Sequence, residues 1–365
     1  MPTPDTVLQI VPHLPGTFDG VGDYALNLAR ALSAEHGITT TFLVAGKTSA
    51  TSKDRYAVIS GLNVGASAEL ARGHEHVVLH YANYGYQARG VPFLLATFVK
   101  QLRQQLRGRW VTTFHELYAS GPPWKSAFWL RPFQVRIARD MIDASSSCVV
   151  SNAPIEEAIR AYDPRKKILT VPVMSNFGEP VLSDFSSASC RRWAICGGTA
   201  LIARSLRLFE QLRPLIPTAF APDHLDIVGG REDPSITAAV DRLKRDLAVH
   251  HNPQVGVDLA SEILRQSTFG WLDYFGAGKV WPGMLLKSTA FAAFCAHGVI
   301  PILSHREDPI GVDGDVLPGP FYLTPSAIRF PQLEELPNVR RRYYDWYHAH
   351  ASARQAARIY AEALR

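Results

Sequence analysis

A chain of 365 residues exceeds one ordinary domain and suits two, each large enough to bury its own core. With 47% hydrophobic and 19% charged residues it is neither a disordered chain, nor a coiled coil, nor a collagen-like polymer. The net charge of +5 suits an anionic ligand. Lysines and arginines read as dispersed, with Arg340-Arg341-Arg342 as the one run, a solvated helix face, and with no basic stripe for a nucleic acid. The start, Met-Pro-Thr-Pro-Asp, shows no basic n-region followed by an apolar h-region, so no secretion signal is expected. The weakly polar stretch Ala290 to Leu303 falls short of the ~20 apolar residues that cross a bilayer, so a cytoplasmic location is expected. Cys148, Cys190, Cys196 and Cys295 show no close pairing and read as reduced, mostly buried thiols.

In chain order, β-rich runs alternate with helical patterns, the signature of strand-helix-strand units. The class is therefore α/β. Strands are expected at Val7–Val11, Thr39–Ala45, Val77–Tyr81, Trp110–Phe114, Cys148–Ser151 and Ile168–Val173, six strands in one doubly wound sheet. The first runs into Gly20-Val21-Gly22-Asp23-Tyr24, after which Tyr24, Leu28 and Leu32 mark a helix ending at Gly37. Strand, glycine turn and helix together place free N–H groups where a phosphate can bind.

A Ser-, Gly- and Pro-rich segment follows, read as a linker at 178–192 after an amino domain at 1–177. The pattern then repeats. Strand Trp193–Cys196 enters the turn Gly197-Gly198-Thr199 and a helix at Ala200–Leu215, with further strands at Leu225–Val228, Phe269–Leu272 and Val299–Leu303 and helices at Ser235–Ala248 and Ser288–Ala296. The second domain is placed at 193–340 and a helical tail at 341–365. Two doubly wound domains expect ligands at the carboxyl ends of their strands, in a cleft. There the first half carries His80, Asn83, Tyr84, Tyr86, His115, Glu116, Ser151 and Asn152. In the second half Ser288 is a good N-cap, so that first-turn amides and the Lys287 ammonium, beside Thr289, would face a phosphate.

With Gly20-Val21-Gly22-Asp23-Tyr24, Thr113-Phe114-His115-Glu116, Gly197-Gly198, and Lys287-Ser288-Thr289 leading to Ala296-His297-Gly298-Val299-Ile300-Pro301, the chain resembles the family 4 glycosyltransferases over nearly its full length. The resemblance implies a GT-B fold, two Rossmann-like domains facing a cleft. It also implies transfer of a sugar from a nucleotide diphosphate donor to an acceptor hydroxyl, usually with retention. Gly20 and Gly22 match the loop over the diphosphate, and His115 the strand-end histidine that faces the reacting sugar. Arg204 is the candidate grip on the diphosphate, and Val257 to Leu259 fall where the family's backbone contacts the nucleobase. The tail helix would brace the amino domain.

In this reading His115 and Glu116 are catalytic, with Glu116 taking or sharing the acceptor proton. Gly198, Arg204, Lys287, Ser288 and Thr289 hold the donor without a metal or resident cofactor, and Asn83, Tyr84 and Asn152 lie on the acceptor side. The acceptor would be a carbohydrate or lipid-linked, with at most peripheral membrane contact, in glycan biosynthesis. One departure stands out. Two glutamates that many members carry eight residues apart are replaced by Leu285 and Ala293, which supports one alternative, a catalytically inactive nucleotide-sugar-binding protein; a second alternative, a sugar-nucleotide epimerase, would need carboxylates near the donor anomeric carbon, and this segment has few. Gly276-Ala277-Gly278-Lys279 is a candidate substitute loop at the sugar. Asp313-Gly314-Asp315 reads as a coincidental likeness to a metal motif, and the pairs His74/His76, His348/His350 and His250-His251 lack a defined third ligand.

Overall fold

The structure, a computed structural model, describes residues 6–14, 20–46, 48, 50, 52–119, 122–186, 189–275 and 283–365. The candidate loop Gly276 to Lys279 lies outside them. The chain divides into two compact units, residues 1–171 with 353–365, and residues 172–352.

The first unit is an eight-stranded sheet in the order β3-β4-β2-β1-β5-β6-β7-β8. Its strands are β1 (Thr6–Val11), β2 (Thr39–Val44), β3 (Ser52–Lys53), β4 (Tyr56–Ser60), β5 (His76–Tyr81), β6 (Trp110–Phe114), β7 (Ser147–Val150) and β8 (Ile168–Thr170). Every pair is parallel except β3 with β4. The central strands are mostly apolar because both faces are covered, with Gln9 and His80 as buried polar exceptions: all five residues of β6 are buried, as are all but the first of β1. Helices α1 (Gly20–His36), α2 (Ser67–Gly73), α3 (Asn83–Tyr86), α4 (Phe93–Gln105), α5 (Ser126–Ala144) and α6 (Ala153–Tyr162) make the crossovers. Gly37, at φ 68°, terminates α1 in the left-handed conformation that glycine adopts without strain.

Two strands beyond the expected six are β3 and β4. β4 is a mostly apolar strand, Tyr-Ala-Val-Ile-Ser, buried at alternate positions at its start, and lies between β2 and the two-residue edge strand β3. The last expected strand is also shorter: β8 ends at Thr170, and Val173 donates instead to Leu286 O (2.9 Å) within the second unit. The glycines at 20 and 22 form the first turn of α1 rather than a separate turn before it.

The second unit is a seven-stranded sheet in the order β11-β10-β9-β12-β13-β16-β17, with a separate hairpin. Its strands are β9 (Arg192–Gly197), β10 (His224–Gly229), β11 (Ala248–Asn252), β12 (Phe269–Leu272), β13 (Ile300–Leu303), β16 (Phe321–Thr324) and β17 (Ala327–Arg329); β14 (Gly311–Val312) and β15 (Asp315–Val316) make the hairpin. Helices are α7 (Thr199–Leu212), α8 (Pro234–Leu243), α9 (Val257–Arg265), α10 (Thr289–Ala296) and α11 (Leu336–His350). The helix expected to reach Ala248 stops at Leu243, because Ala248 opens the edge strand β11, whose sequence Ala-Val-His-His-Asn is too polar to announce a strand.

Among its described residues the segment expected as a linker has no regular element until Arg192, but it is stitched to α11. Ser175 N–H donates to Tyr347 Oη (2.8 Å), Leu182 N–H to Tyr344 Oη (3.3 Å), and Phe185 O accepts from Arg340 Nη1 (2.8 Å). Arg340 is therefore no part of a solvated face. It is buried, and its Nε also holds Gly298 O (2.9 Å). The final helix, α12 (Ala353–Leu364), belongs to the first unit, where Arg354 pairs with Glu35 (3.0 Å) and Tyr360 bonds Thr113.

Candidate functional site

In an open parallel sheet, two neighbouring strands whose connections leave in opposite directions open a crevice at their carboxyl ends. In the first unit that switch point falls between β1 and β5, and the polar residues gathered there form one connected group. His80, fully buried on β5, bonds Gln9 Oε1 through Nε2 (2.8 Å) and His115 Nε2 through Nδ1 (3.3 Å). Gln9 Nε2 donates in turn to Thr40 Oγ1 (3.3 Å).

These contacts fix the protons. Gln9 presents its oxygen to His80, so His80 Nε2 carries hydrogen. Burial, and then the neighbouring His115, push the His80 pKa well below the usual histidine range, so its Nδ1 is a bare acceptor. His115 Nε2 is then the donor of that bond, and its Nδ1 holds the lone pair when the ring is neutral.

Tyr24, from the first turns of α1, meets both rings edge-on, 5.2 Å from His115 and 5.8 Å from His80. Its hydroxyl contacts Tyr360 of α12 (3.3 Å), and burial raises its pKa to about 12. The carboxyl-terminal helix thus helps to box His115 in. Glu116 follows at the same edge, half-buried, its N–H directed to Tyr81 O (3.4 Å). Sequence reasoning named His80 and His115 separately as strand-end residues and did not join them to Gln9 and Tyr360, which meet only on folding.

The proposed acceptor-side residues separate. Asn152 is fully buried and spent on local structure: its Oδ1 caps α6 at Ile155 N–H (3.1 Å) and its Nδ2 donates to Ser151 Oγ (3.2 Å). Asn83, also fully buried, gives Nδ2 to Gly90 O (3.4 Å), and its Oδ1 has no hydrogen-bond partner among the described residues. Tyr84 is exposed, with its hydroxyl accepting from Gln134 Nε2 (3.3 Å).

In the second unit the switch point lies between β9 and β12. Here β9 runs into Gly197, Gly198 and α7, whose N-cap Gly198 offers no side chain to the first-turn N–H groups. Those amides and the positive helix end favour an anion. A Cβ built on Gly198 meets nothing within 4 Å, and its φ of −78° suits any residue. Its neighbours are glycine for a different reason. A side chain at Gly229 would strike Gly197 O (2.8 Å), and one at Gly230 would press on Thr199 N (3.3 Å), both at positive φ.

Arg204 reaches across this switch point to the end of β12. Its Nε bonds Asp273 O (3.0 Å) and its Nη2 bonds Tyr274 O (2.6 Å), with Asp273 Oδ2 3.2 Å from Nε. Among the described residues Nη1 has no hydrogen-bond partner, and the side chain is 40% exposed. Ser304 Oγ holds the other Asp273 oxygen (2.7 Å).

Lys287 closes a 3-10 turn before α10, and Ser288 Oγ caps that helix at Phe291 N–H (3.2 Å), as its sequence position indicates. Lys287 and Thr289 are half-buried. Because α10 returns antiparallel to the strands it joins, its amino end lies at the same carboxyl edge as Gly198. Leu285 and Ala293 are both fully buried in the apolar core, where a carboxylate would need a partner that the core does not offer. Val257 and Leu259 lie in the first turn of α9, each 51% exposed, an element the sequence reading did not expect.

Asp313-Gly314 is a two-residue hairpin turn with both residues at positive φ, and Asp315 is occupied by Arg342 (2.7 Å) and His350 (2.8 Å). The structure does bring partners to His250. Asp226 Oδ1 lies 3.6 Å from His250 Nδ1 and 3.2 Å from His224 Nε2. Among the described residues this is a group that could hold a metal, but Arg192 already grips Asp226 Oδ2 (3.0 Å), and the group flanks the opening residues of β10, away from the carboxyl edge.

No protein-family model and no curated protein sequence matches the chain. Solved structures do. An alpha-glucosyltransferase in complex with UDP is similar at a TM-score of 0.60 and 10% identity, over 99% of this chain and all of that one. The alpha,alpha-trehalose 6-phosphate synthase from Burkholderia multivorans is similar at 0.61 and 12%, over 100% and 98%. The lipopolysaccharide outer core galactosyltransferase WaaB gives 0.52 and 13%, over 98% of each. At these identities the likeness establishes the fold, which is GT-B: two parallel-dominated, Rossmann-like α/β units over the full length.

Proposed function

We propose that the chain is a glycosyltransferase of the family 4 type, which moves a sugar from a nucleotide diphosphate donor to an acceptor hydroxyl, with retention and without a metal. The observation that carries this reading is the uncapped amino end of α7 at Gly198, open above its amides and placed at a switch point beside Arg204 and the α10 terminus. Similar structures include an alpha-glucosyltransferase with UDP-glucose bound, which supports a nucleotide sugar as the donor.

In this reading the sugar-phosphate bond breaks towards an oxocarbenium-like sugar, and the charge left on the diphosphate is met by the α7 amides, Arg204 Nη1 and Lys287. The acceptor oxygen bonds to the anomeric carbon as Glu116 takes its proton. His115, its Nε2 held by His80, orients a sugar or acceptor hydroxyl through Nδ1.

Nucleoside diphosphates test the donor site. At about 100 times its dissociation constant the matching one adds ~2.7 kcal/mol of stability, a rise of several degrees in Tm. No shift with any nucleoside diphosphate or its sugar contradicts the proposal. Gly198→Val sharpens this. The backbone there accepts a side chain, so stability falls by no more than ~1 kcal/mol, while donor affinity drops at least tenfold because the new methyls occupy the approach to the amides. Unchanged affinity would move the phosphate elsewhere.

The burial of Leu285 and Ala293 favours a second reading, donor binding without transfer. Release of nucleoside diphosphate from the sugar donor in the presence of acceptor decides against it, and isomerisation of the donor without acceptor would indicate an epimerase.

A further inference from the structure

We propose that the first unit docks on an anionic lipid bilayer through the amino-terminal ends of α4 and α5 and the turn that leads into α5. This inference stands apart from the proposed transfer and does not depend on it.

Two observations meet on this surface. The first is a concentration of exposed apolar side chains. Phe93 (55%) and Leu94 (58%) open α4, Phe128, Trp129 (68%) and Phe133 (50%) lie on the first two turns of α5, and Trp124 (83%) stands just ahead of it. They form an associated patch: the Phe93 and Phe133 rings are 6.1 Å apart, Phe128 and Trp129 are 5.3 Å apart, and Trp129 Nε1 donates to Pro123 O (2.7 Å). Large contiguous apolar surface on a folded unit marks a place where something else binds.

The second observation is charge. Residues 83–139 contain nine lysines and arginines and a single acid, Glu116, so the remainder of this +5 chain is net acidic. The lysines and arginines themselves are spread along the chain, nine of 38 falling here, but the near absence of acids concentrates the net positive charge in this stretch. Of these groups Arg89, Lys125, Arg131 and Arg136 are exposed alongside the aromatic side chains.

Tryptophan, phenylalanine and leucine flanked by lysine and arginine are what the boundary of an anionic membrane selects. The rings enter the headgroup region while the long basic side chains reach phosphates. A nucleic acid would be served by stacking rings set in a groove with hydrogen-bonding side chains. Here Leu94, Pro123 and Pro132 share an outward surface with the rings. A second copy of the chain would bring two basic surfaces together.

Sedimentation with vesicles of phosphatidylglycerol and phosphatidylcholine tests the proposal. The protein should co-sediment with mixed vesicles and not with pure phosphatidylcholine, lose binding as salt rises, and shift its tryptophan emission to the blue. Leu94→Ser/Trp124→Ser and Arg131→Glu/Arg136→Glu should each lower the partition coefficient more than about tenfold with unchanged circular dichroism. Both pairs are exposed, so neither substitution removes core. The inference is overturned by wild-type protein that ignores anionic vesicles, or by both variants binding as well as wild type. It is equally overturned by binding to duplex or single-stranded DNA with vesicles ignored, or by a dimer that the Leu94→Ser/Trp124→Ser variant dissolves.

Discussion

His115→Ala should lower turnover by about 10²-fold or more while Tm and nucleoside diphosphate affinity stay near wild type. The separation of kcat from binding follows from where the groups lie. His115 stands at the carboxyl edge of β6 in the first unit, whereas the amides at Gly198 and the side chains of Arg204 and Lys287 belong to the second. The half-buried imidazole is not part of the apolar core, and its loss leaves His80 still bonded to Gln9. His80→Phe should act in the same direction but less, since it removes the acceptor that holds His115 Nε2 and leaves the reacting ring in place. Steady-state kinetics beside a melting curve read both. Full turnover in His115→Ala would remove the histidine from the mechanism, and a loss matched by an equal rise in the donor dissociation constant would make it a binding group only.

The largest stability effect is expected at Arg340. Its guanidinium is buried and holds three carbonyls that no helix or sheet satisfies: Gly298 O (2.9 Å) just after α10, Phe185 O (2.8 Å) in the segment before β9, and Ser267 O (3.4 Å) after α9. Burial lowers its pKa to about 10, which still leaves it charged at neutral pH. Arg340→Met keeps much of the volume but strands those acceptors, a cost of ~3 kcal/mol. The second unit should then melt roughly 6–12 °C lower. Arg340→Lys, with one compact ammonium in place of a planar fork, should recover only part of it. A wild-type Tm in Arg340→Met would show that these bonds contribute nothing net.

Arg340 also shows what could be read in the sequence and what could not. The run Arg340-Arg341-Arg342 invites a solvated face, yet Leu336, Val339, Tyr343 and Tyr347 place position 340 on the buried stripe of α11. Helical spacing carried the signal, and charge alone concealed it. The central strands were legible because a sheet covered on both faces demands largely apolar, β-branched runs such as Val7 to Val11 and Trp110 to Phe114. The edge strand β11 was not, since a half-solvated strand carries mixed residues, and β4, apolar at four of its five residues, was passed over beside the two-residue edge β3.

The candidate site divides in the same way. His115 and Ser288 follow from local pattern, a strand end and a helix cap. The Gln9, His80 and His115 chain spans up to 71 residues between neighbours and exists only once β1, β5 and β6 lie side by side. The family likeness led to Arg204 as a diphosphate grip, while most of its bonds turn out to tie α7 to the end of β12.

A crystal structure with a nucleotide sugar bound tests the central claim most directly. The pyrophosphate is expected over the first-turn amides of α7, with Gly198 N–H or its successors within hydrogen-bond distance of a phosphate oxygen and Arg204 Nη1 turned towards it. A nucleotide seated elsewhere on the chain, with those amides facing only solvent, would contradict it.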